Sequence, residues 1–349
     1  MDILDILKLK YPIIQAPMAG GATTVELICG VCNQGALGSM GAGYLSATAI
    51  GEQIQLIKQQ TERPFNINLF VPNSVTINPQ QLQKMQHALI PLYQQLGQTV
   101  PSELPTQFAQ NFHHQVETLL REKIPVFSFT FGIPDSEILK EFRQQGTIIL
   151  GTATSIEEAA LLAECVDAIV LQGSEAGGHR STFIGSEENS LTPILKLIRQ
   201  VHSAKIKRPL IASGGIADHS DIKQVIASGA IAAQIGTLFL SCDESGIAPC
   251  YKNALIQAKH DCTVLTRAFS GKLARGIANS FIEQLKQLEE LENIQPLPYP
   301  VQNALTQPLR KLAGSQNNTD YLSLWAGQSV HHCHKTSVSA LINKLTQST

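Results

Sequence analysis

The chain has 349 residues, 43% of them hydrophobic and 15% charged, with a formal net charge of −2. A chain of that length buries a large core without disulfides or metal, and so apolar a composition excludes a disordered polypeptide. The small net charge gives no global attraction to nucleic acid or to an anionic membrane. Residues 1–10, MDILDILKLK, carry acidic groups where a secretory leader is basic, and no apolar stretch follows. Two uncharged stretches, 27–51 and 225–242, are interrupted by glycines and read as buried helix plus buried strand, not as membrane spans. Seven cysteines show no framework spacing, which predicts reduced thiols and a cytoplasmic protein. Cys29-x-x-Cys32 reads as two small buried residues on one helix, because no second pair completes a zinc site, and no metal is expected.

Short apolar runs recur along the chain, each followed by a helical pattern. The first three are 13–17, 35–39 and 66–70. Segment 71–116 is poor in charge and rich in Gln, Asn and Pro, and adds one or two helices, in the manner of a lid. The fourth run, 126–131, precedes a helix opened by Pro134-Asp135-Ser136 and closed by Gly146. After the fifth, 147–151, the tetrad Thr154-Ser155-Ile156-Glu157 reads as a capping box for a helix reaching Cys165. The sixth run is 168–172 and the seventh 210–213, the latter followed by a helix from Asp218 to Ser228 that Gly229 stops. Run eight is 232–238. Continuous apolar runs fit parallel strands covered on both faces. Eight strand–helix units predict an α/β fold, a (β/α)8 TIM barrel, over the rival open doubly wound sheet. Segment 243–306 is too long for a βα loop and reads as a small inserted subdomain after strand eight. The barrel domain is then 1–242 plus 307–349, its last helix lying around Tyr321–Ala326 or later.

In such a barrel the active site sits at the C-terminal ends of the strands. Those ends carry Ala16-Pro17-Met18-Ala19-Gly20-Gly21, Asn68, Gln172 with Gly173 to Arg180, Ser213-Gly214-Gly215-Ile216, and Gln234-Ile235-Gly236-Thr237. The last two groups place small residues on adjacent loops, where bare backbone N–H groups and a helix N-terminus can face a phosphate.

These segments resemble the flavin-dependent nitronate monooxygenases, formerly 2-nitropropane dioxygenases, almost from end to end. The matching pieces are 15–21 (QAPMAGG), 68–70 (NLF), 173–180 (GSEAGGHR), 212–217 (ASGGIA), 234–237 (QIGT), 269–276 (FSGKLARG) and 324–328 (LWAGQ). Gly-Gly-His and the Gly-Gly-Ile-Ala block are also found in flavin-dependent enoyl reductases of the same superfamily. One departure is Lys272-Leu273, where the pattern has Arg-Pro; the basic residue is kept and a rigid proline is lost.

The resemblance implies FMN bound by Ala16, Pro17, Met18, Asn68, Gln172, Gly177, Gly178, Ser213, Gly214, Gly215, Gln234, Ile235, Gly236 and Thr237. It also implies His179 as the catalytic residue. A neutral imidazole accepts an α-proton from a nitroalkane, whereas a protonated one orients an anion. Glu175 is either a second base or a brace for its loop. Arg267, Lys272 and Arg275 either attract an anionic substrate or form a solvated basic face; Arg275 and Tyr299 are the substrate-side candidates. His331-His332-x-His334 reads as a solvated tail.

The expected reaction is oxidation of an alkyl nitronate, such as propionate 3-nitronate, by FMN and O2 to a carbonyl compound plus nitrite or nitrate, a detoxification. The partners are then the small nitronate and O2, with no nucleic acid or membrane, in a monomer or homodimer. An NAD(P)H-dependent flavin reductase acting on an enoyl thioester or quinone is the alternative. A phosphate-binding barrel without redox chemistry is the other.

Overall fold

A computed structural model describes residues 3–99 and 108–347. Its strands are β1 (Ile13–Gln15), β2 (Gly38–Gly41), β3 (Phe65–Phe70), β4 (Val126–Thr130), β5 (Ile148–Ala153), β6 (Ala168–Gln172), β7 (Gly178–His179), β8 (Leu210–Ser213), β9 (Ala232–Ile235), β10 (Thr263–Thr266) and β11 (Ala274–Ile277). Eight of them form one parallel sheet in the order β1-β9-β8-β6-β5-β4-β3-β2. Its two ends meet. Leu37 pairs with Ile14, the Leu37 N–H donates to Ile13 O at 3.0 Å, and the Gln15 N–H donates to Leu37 O at 2.9 Å. The sheet is therefore a closed (β/α)8 barrel, and each of the eight apolar runs supplies one strand.

Strand two starts three residues later than the apolar run suggests. Gly35 adopts φ +89° and its N–H caps the preceding helix at Cys32 O, so the first part of that run is a helix-ending turn. The eighth apolar run, which forms β9, stops being a strand at Ile235, because a short helix starts at Thr237.

Side-chain alternation decides what faces inward. Register pairs Asn68 with Ser128, Gln172 with Ser213, and Ser213 with Gln234, so these point the same way. The alternate residues Ile67, Phe127, Phe129 and Leu171 face the helices and join the main apolar core. Inside the barrel, the N-terminal end is plugged by Ile14, Leu37, Val126, Leu150, Val170 and Ile211, with Ile3 and Leu7 below them. Toward the C-terminal ends the inner face turns polar. Asn66 Nδ2 donates to Ser39 Oγ at 3.2 Å and Asn68 Nδ2 to Ser128 Oγ at 3.0 Å.

The helices are α1 (Ile3–Ile6), α2 (Val25–Asn33), α3 (Ala47–Gln60), α4 (Pro79–Gln95), α5 (Phe112–Glu122), α6 (Ser136–Gln144), α7 (Ile156–Ala163), α8 (Ile194–Ser203), α9 (His219–Ala227), α10 (Thr237–Leu240), α11 (Pro249–Ile256), α12 (Ser280–Glu292), α13 (Val301–Ser315) and α14 (Val338–Thr346). Asp218 and Asp221 form a reciprocal capping box on α9. The box expected on α7 is shifted by one residue. Ser155 caps the helix, while the buried Glu158 turns away to bind the Thr154 N–H and hydroxyl and the Ile184 N–H. Cys29 and Cys32 are both buried on α2, and burial raises their thiols to about 11 and about 12.

The final barrel helix is α14, at the later end of that expectation; Tyr321–Ala326 itself holds a short 3-10 turn and an extended bridge from Trp325 to Gly276. Of the helices in 71–116, α5 belongs to the barrel ring beside α3, and α4 is the addition. A second apolar cluster joins α4 to the chain after β9. Met85, Leu89 and Tyr93 pack with Phe269, Phe281, Leu305 and Leu309. Helix α13 runs through residue 306 and is followed by the 3-10 turn at Thr319–Tyr321. Among the described residues no helix is long and apolar enough to cross a membrane.

Candidate active site

At the C-terminal ends of the strands lies a cavity of about 380 Å³, within the range of about 300–1,000 Å³ usual for small-molecule sites. Ala16, Pro17, Met18, Asn68, Gln172, Gly177, Gly178, His179, Ser213, Gly214, Gly215, Gln234, Ile235, Gly236 and Thr237 all line it. The fold thus gathers every candidate cofactor residue, and His179 with them, around one space.

The loops after β8 and β9 form a backbone cradle. Gly214 and Gly215 have φ of +116° and +73°, which residues with a Cβ rarely adopt. The Ser329 hydroxyl donates to Gly215 O at 2.8 Å, and Thr237 Oγ1 accepts from the Gly327 N–H at 3.0 Å, so the C-terminal segment fixes both loops from outside. The N–H groups of Gly215, Gly236 and Thr237 take no backbone partner among the described residues. Unpaired donors converging on one space suit an anion. Around the rest of the wall, Thr130 Oγ1 is buried with no hydrogen-bond partner, and Asn68 and Gln234 offer amides.

Segment 173–181 is held by its own polar groups. Gln172 Nε2 donates to His179 O and Gln172 Oε1 accepts from the Ser181 N–H, both at 2.9 Å. Its amide is therefore engaged with the loop. Arg180, fully buried, donates to the carbonyls of Gly173, Gln172 and Ser190. Glu175 accepts from the Ile194 N–H with both oxygens at 3.1 Å, capping α8. That contact makes it a brace; burial raises its pKa despite nearby Arg180 and Arg275. A Cβ on Gly177 would meet Gly327 N at 2.4 Å, so only glycine lets the 326–327 backbone pass this close.

His179 sits on β7, whose other side is the inserted hairpin. Ala274 of β11 pairs with His179, and Arg180 N donates to Leu273 O at 2.7 Å. The ring is boxed by Phe131, Tyr299 and Trp325 at centroid distances of 6.2, 5.9 and 5.2 Å. Its Nε2 lies 2.8 Å from Ser270 Oγ, and that hydroxyl donates to Lys272 O at 3.1 Å. In the tautomer that leaves the serine proton on Lys272 O, Nε2 is the N–H donor and Nδ1 keeps the lone pair. Burial first, then the charges of Lys272 and Arg310, lower the imidazole pKa from 6.5 to about 3. The ring is neutral at physiological pH, and Nδ1 is a free acceptor among the described residues.

The cations divide differently from the expectation. Arg267 binds Glu187 and Glu188, and Lys272 binds Glu187 at 2.7 Å while lying 4.8 Å over the Phe131 ring. Arg275 is buried, donates to Ser174 O at 3.1 Å and does not line the cavity, so the structure does not bring it to the site. Tyr299 reaches the site by packing on His179 and Phe131. In the histidine segment His332 and His334 are exposed, and His331 packs in tilted contact against His260 and His332 at centroid distances of 3.9 and 4.2 Å.

Sequence reasoning missed Tyr44, Asn303, Arg310 and Ser323, which line the cavity, and Ser270, which holds His179. Asn303 and Arg310 are seven residues apart, two helical turns on one face of α13. That periodicity, read onward from Tyr299, was the available signal.

Three comparisons bear on this arrangement. The nitronate monooxygenase family profile matches residues 2–348. A probable nitronate monooxygenase of Bacillus subtilis is 42% identical over 348 residues, covering 99% of this chain and 98% of the relative. One from Staphylococcus aureus is 38% identical, covering 99% and 97%. Among solved structures, a nitroalkane oxidase from Streptomyces ansochromogenes superposes with a TM-score of 0.89 at 35% identity, covering 98% and 96%. FabK from Thermotoga maritima is more distant, with a TM-score of 0.75 at 26% identity, covering 98% and 94%. A match over the whole chain, joined to a closed barrel with a histidine at its mouth, means that this chain belongs to the nitronate monooxygenase family.

Proposed function

We propose that the protein is an FMN-dependent nitronate monooxygenase. It converts alkyl nitronates, such as propionate 3-nitronate, with O2 to a carbonyl compound plus nitrite or nitrate. The observation that carries this reading is His179, its ring held by Ser270, on the same cavity as the glycine cradle. The residues present fit FMN. Gly214-Gly215 and Gly236-Thr237 would hold its phosphate through backbone N–H groups, and Asn68 and Gln234 would offer amides to its ring edges. Gln172 contributes by fixing the loop. Bound flavin supplies the electron transfer between nitronate and O2.

The chain's own residues do the rest. His179 Nδ1 takes the α-proton of a neutral nitroalkane, and Nε2–H stays on Ser270 Oγ. An ionised nitronate needs no proton removed, so for it the ring only positions the substrate. Phe131, Tyr299 and Trp325 hold the ring and exclude water. In this reading the barrel, residues 1–242 with 307–349, binds the cofactor. The chain after β9 forms the substrate wall, which α13 carries beyond residue 306.

The test is the visible spectrum of the purified protein together with oxygen uptake on propionate 3-nitronate without NAD(P)H. A yellow protein that consumes oxygen supports the proposal, and a colourless one overturns it. The 26% identical FabK structure favours a second reading, an NAD(P)H-dependent flavin reductase. NADH oxidation driven by an enoyl thioester or a quinone, with no nitronate turnover, decides for that one.

A further inference from the structure

Arg310 is a cation without an anion. Helix α13 places it half-buried in the cavity wall, where its charge reaches His179. Arg267 and Lys272 are paired with Glu187 and Glu188, whereas Arg310 has no carboxylate in ion-pair range among the described residues. Its guanidinium is fastened at one corner. Nη2 donates to Asn303 O at 2.9 Å and to Asn303 Oδ1 at 2.8 Å, and Nη1 reaches Ser323 Oγ only at 3.4 Å. The Nε–H is buried with no partner among the described residues. Its neighbours Tyr44 and Tyr93 are neutral phenols, their pKa values raised by burial, and burial lowers the pKa of Arg310. Tyr44 lines the same cavity.

A buried guanidinium N–H with no partner is unfavourable unless an acceptor, best an anion, meets it. The cradle after β8 and β9 already provides for a phosphate with backbone donors. Arg310 comes from α13 instead, near the ring of His179. We propose that Arg310 binds the carboxylate of the substrate. The preferred substrates are then short nitronates with a carboxylate at the far end, held by Arg310 while the nitronate carbon lies at His179. This rests on the nitronate monooxygenase reading and adds the residue that selects among nitronates.

The test compares the flavin-loaded wild type, R310Q and R310K on propionate 3-nitronate and on propyl nitronate, which has the same carbon count and no carboxylate. One charge-assisted contact corresponds to about a 30-fold change in binding. R310Q should raise KM for propionate 3-nitronate by about that factor, leave kcat/KM on propyl nitronate within about threefold, and keep its FMN; R310K should fall between. Equal losses on both substrates, or none on either, overturn the proposal. A binding readout separates this result from failure of the parent reading. 3-Nitropropionate should raise the melting temperature of the wild type but not of R310Q, and 1-nitropropane should raise neither. If the wild type oxidises no nitronate, the functional reading fails. Arg310 as a carboxylate site then stands or falls on that shift alone.

Discussion

His179 Nε2 and Ser270 Oγ lie 2.8 Å apart although 91 residues separate them in the chain. The histidine belongs to the loop after β6, and the serine to the segment between β10 and β11. Ser270 is also tied to Lys272 by two contacts, accepting from its N–H at 3.3 Å and donating to its O at 3.1 Å. The chain after β9 therefore orients the ring that the loop after β6 presents.

Replacing Ser270 by alanine tests that dependence. The ring keeps its aromatic box but loses the partner that holds hydrogen on Nε2. Turnover of a neutral nitroalkane should fall about tenfold in kcat, the equivalent of one ordinary hydrogen bond, with KM and FMN content little changed. Steady-state kinetics with 1-nitropropane and with propyl nitronate separate the cases. An equal fall on the ionised substrate would show that Ser270 matters for something other than the tautomer.

His179→Asn removes the acceptor itself and keeps a polar side chain of similar reach. Turnover on neutral nitroalkane should drop by about 10²–10⁴, the usual contribution of a general base, while the matching nitronate loses far less. Flavin absorbance should be retained, since the cradle is on β8 and β9. Parallel losses on both substrates would remove the base role.

Much of this site is legible in the sequence, and the parts that are not have a common cause. The strands show because each is an unbroken apolar run, and their polar inner residues stand at fixed ends of those runs. The cradle shows because φ of +73° at Gly215 demands a residue type that sequence displays directly. Arg310 does not show, because its lack of a counter-charge is a property of packing and not of its neighbours in the chain. Arg267, Lys272 and Arg275 look equivalent when written in a row. Only the fold gives the first two to Glu187 and turns the third toward Ser174. The capping box slipped by one residue for the same reason. Glu158 meets the loop around Ile184, a demand from outside its own helix.

The depressed His179 pKa carries a stability signature. The folded value is about 3 and the ordinary value 6.5, so the unfolded chain binds more protons between them. Stability from keeping the ring neutral is complete above pH 6.5 and is lost as pH falls toward 3, by an amount on the order of a few kcal/mol. Urea midpoints at pH 7.5 and pH 5.0 should therefore drop further for the wild type than for His179→Asn, whose side chain does not titrate. Identical drops would mean that the imidazole is not held neutral by its surroundings.

Gly215→Val probes the cradle without touching the ring. Valine at φ +73° is strained by roughly 1–3 kcal/mol, and its Cβ would lie 3.1 Å from Glu175 Cβ. The loop must shift to accept it, moving the N–H of residue 215 away from those of Gly236 and Thr237. Those three donors act together, so the expected result is at least about a tenfold weaker hold on FMN, the loss of one charge-assisted contact. The barrel should survive, since the strain is small against the stability of a chain this long. Flavin released on dialysis, read by absorbance alongside an unchanged far-ultraviolet circular dichroism spectrum, measures this directly. A variant that folds and keeps stoichiometric FMN would place the phosphate elsewhere in the cavity.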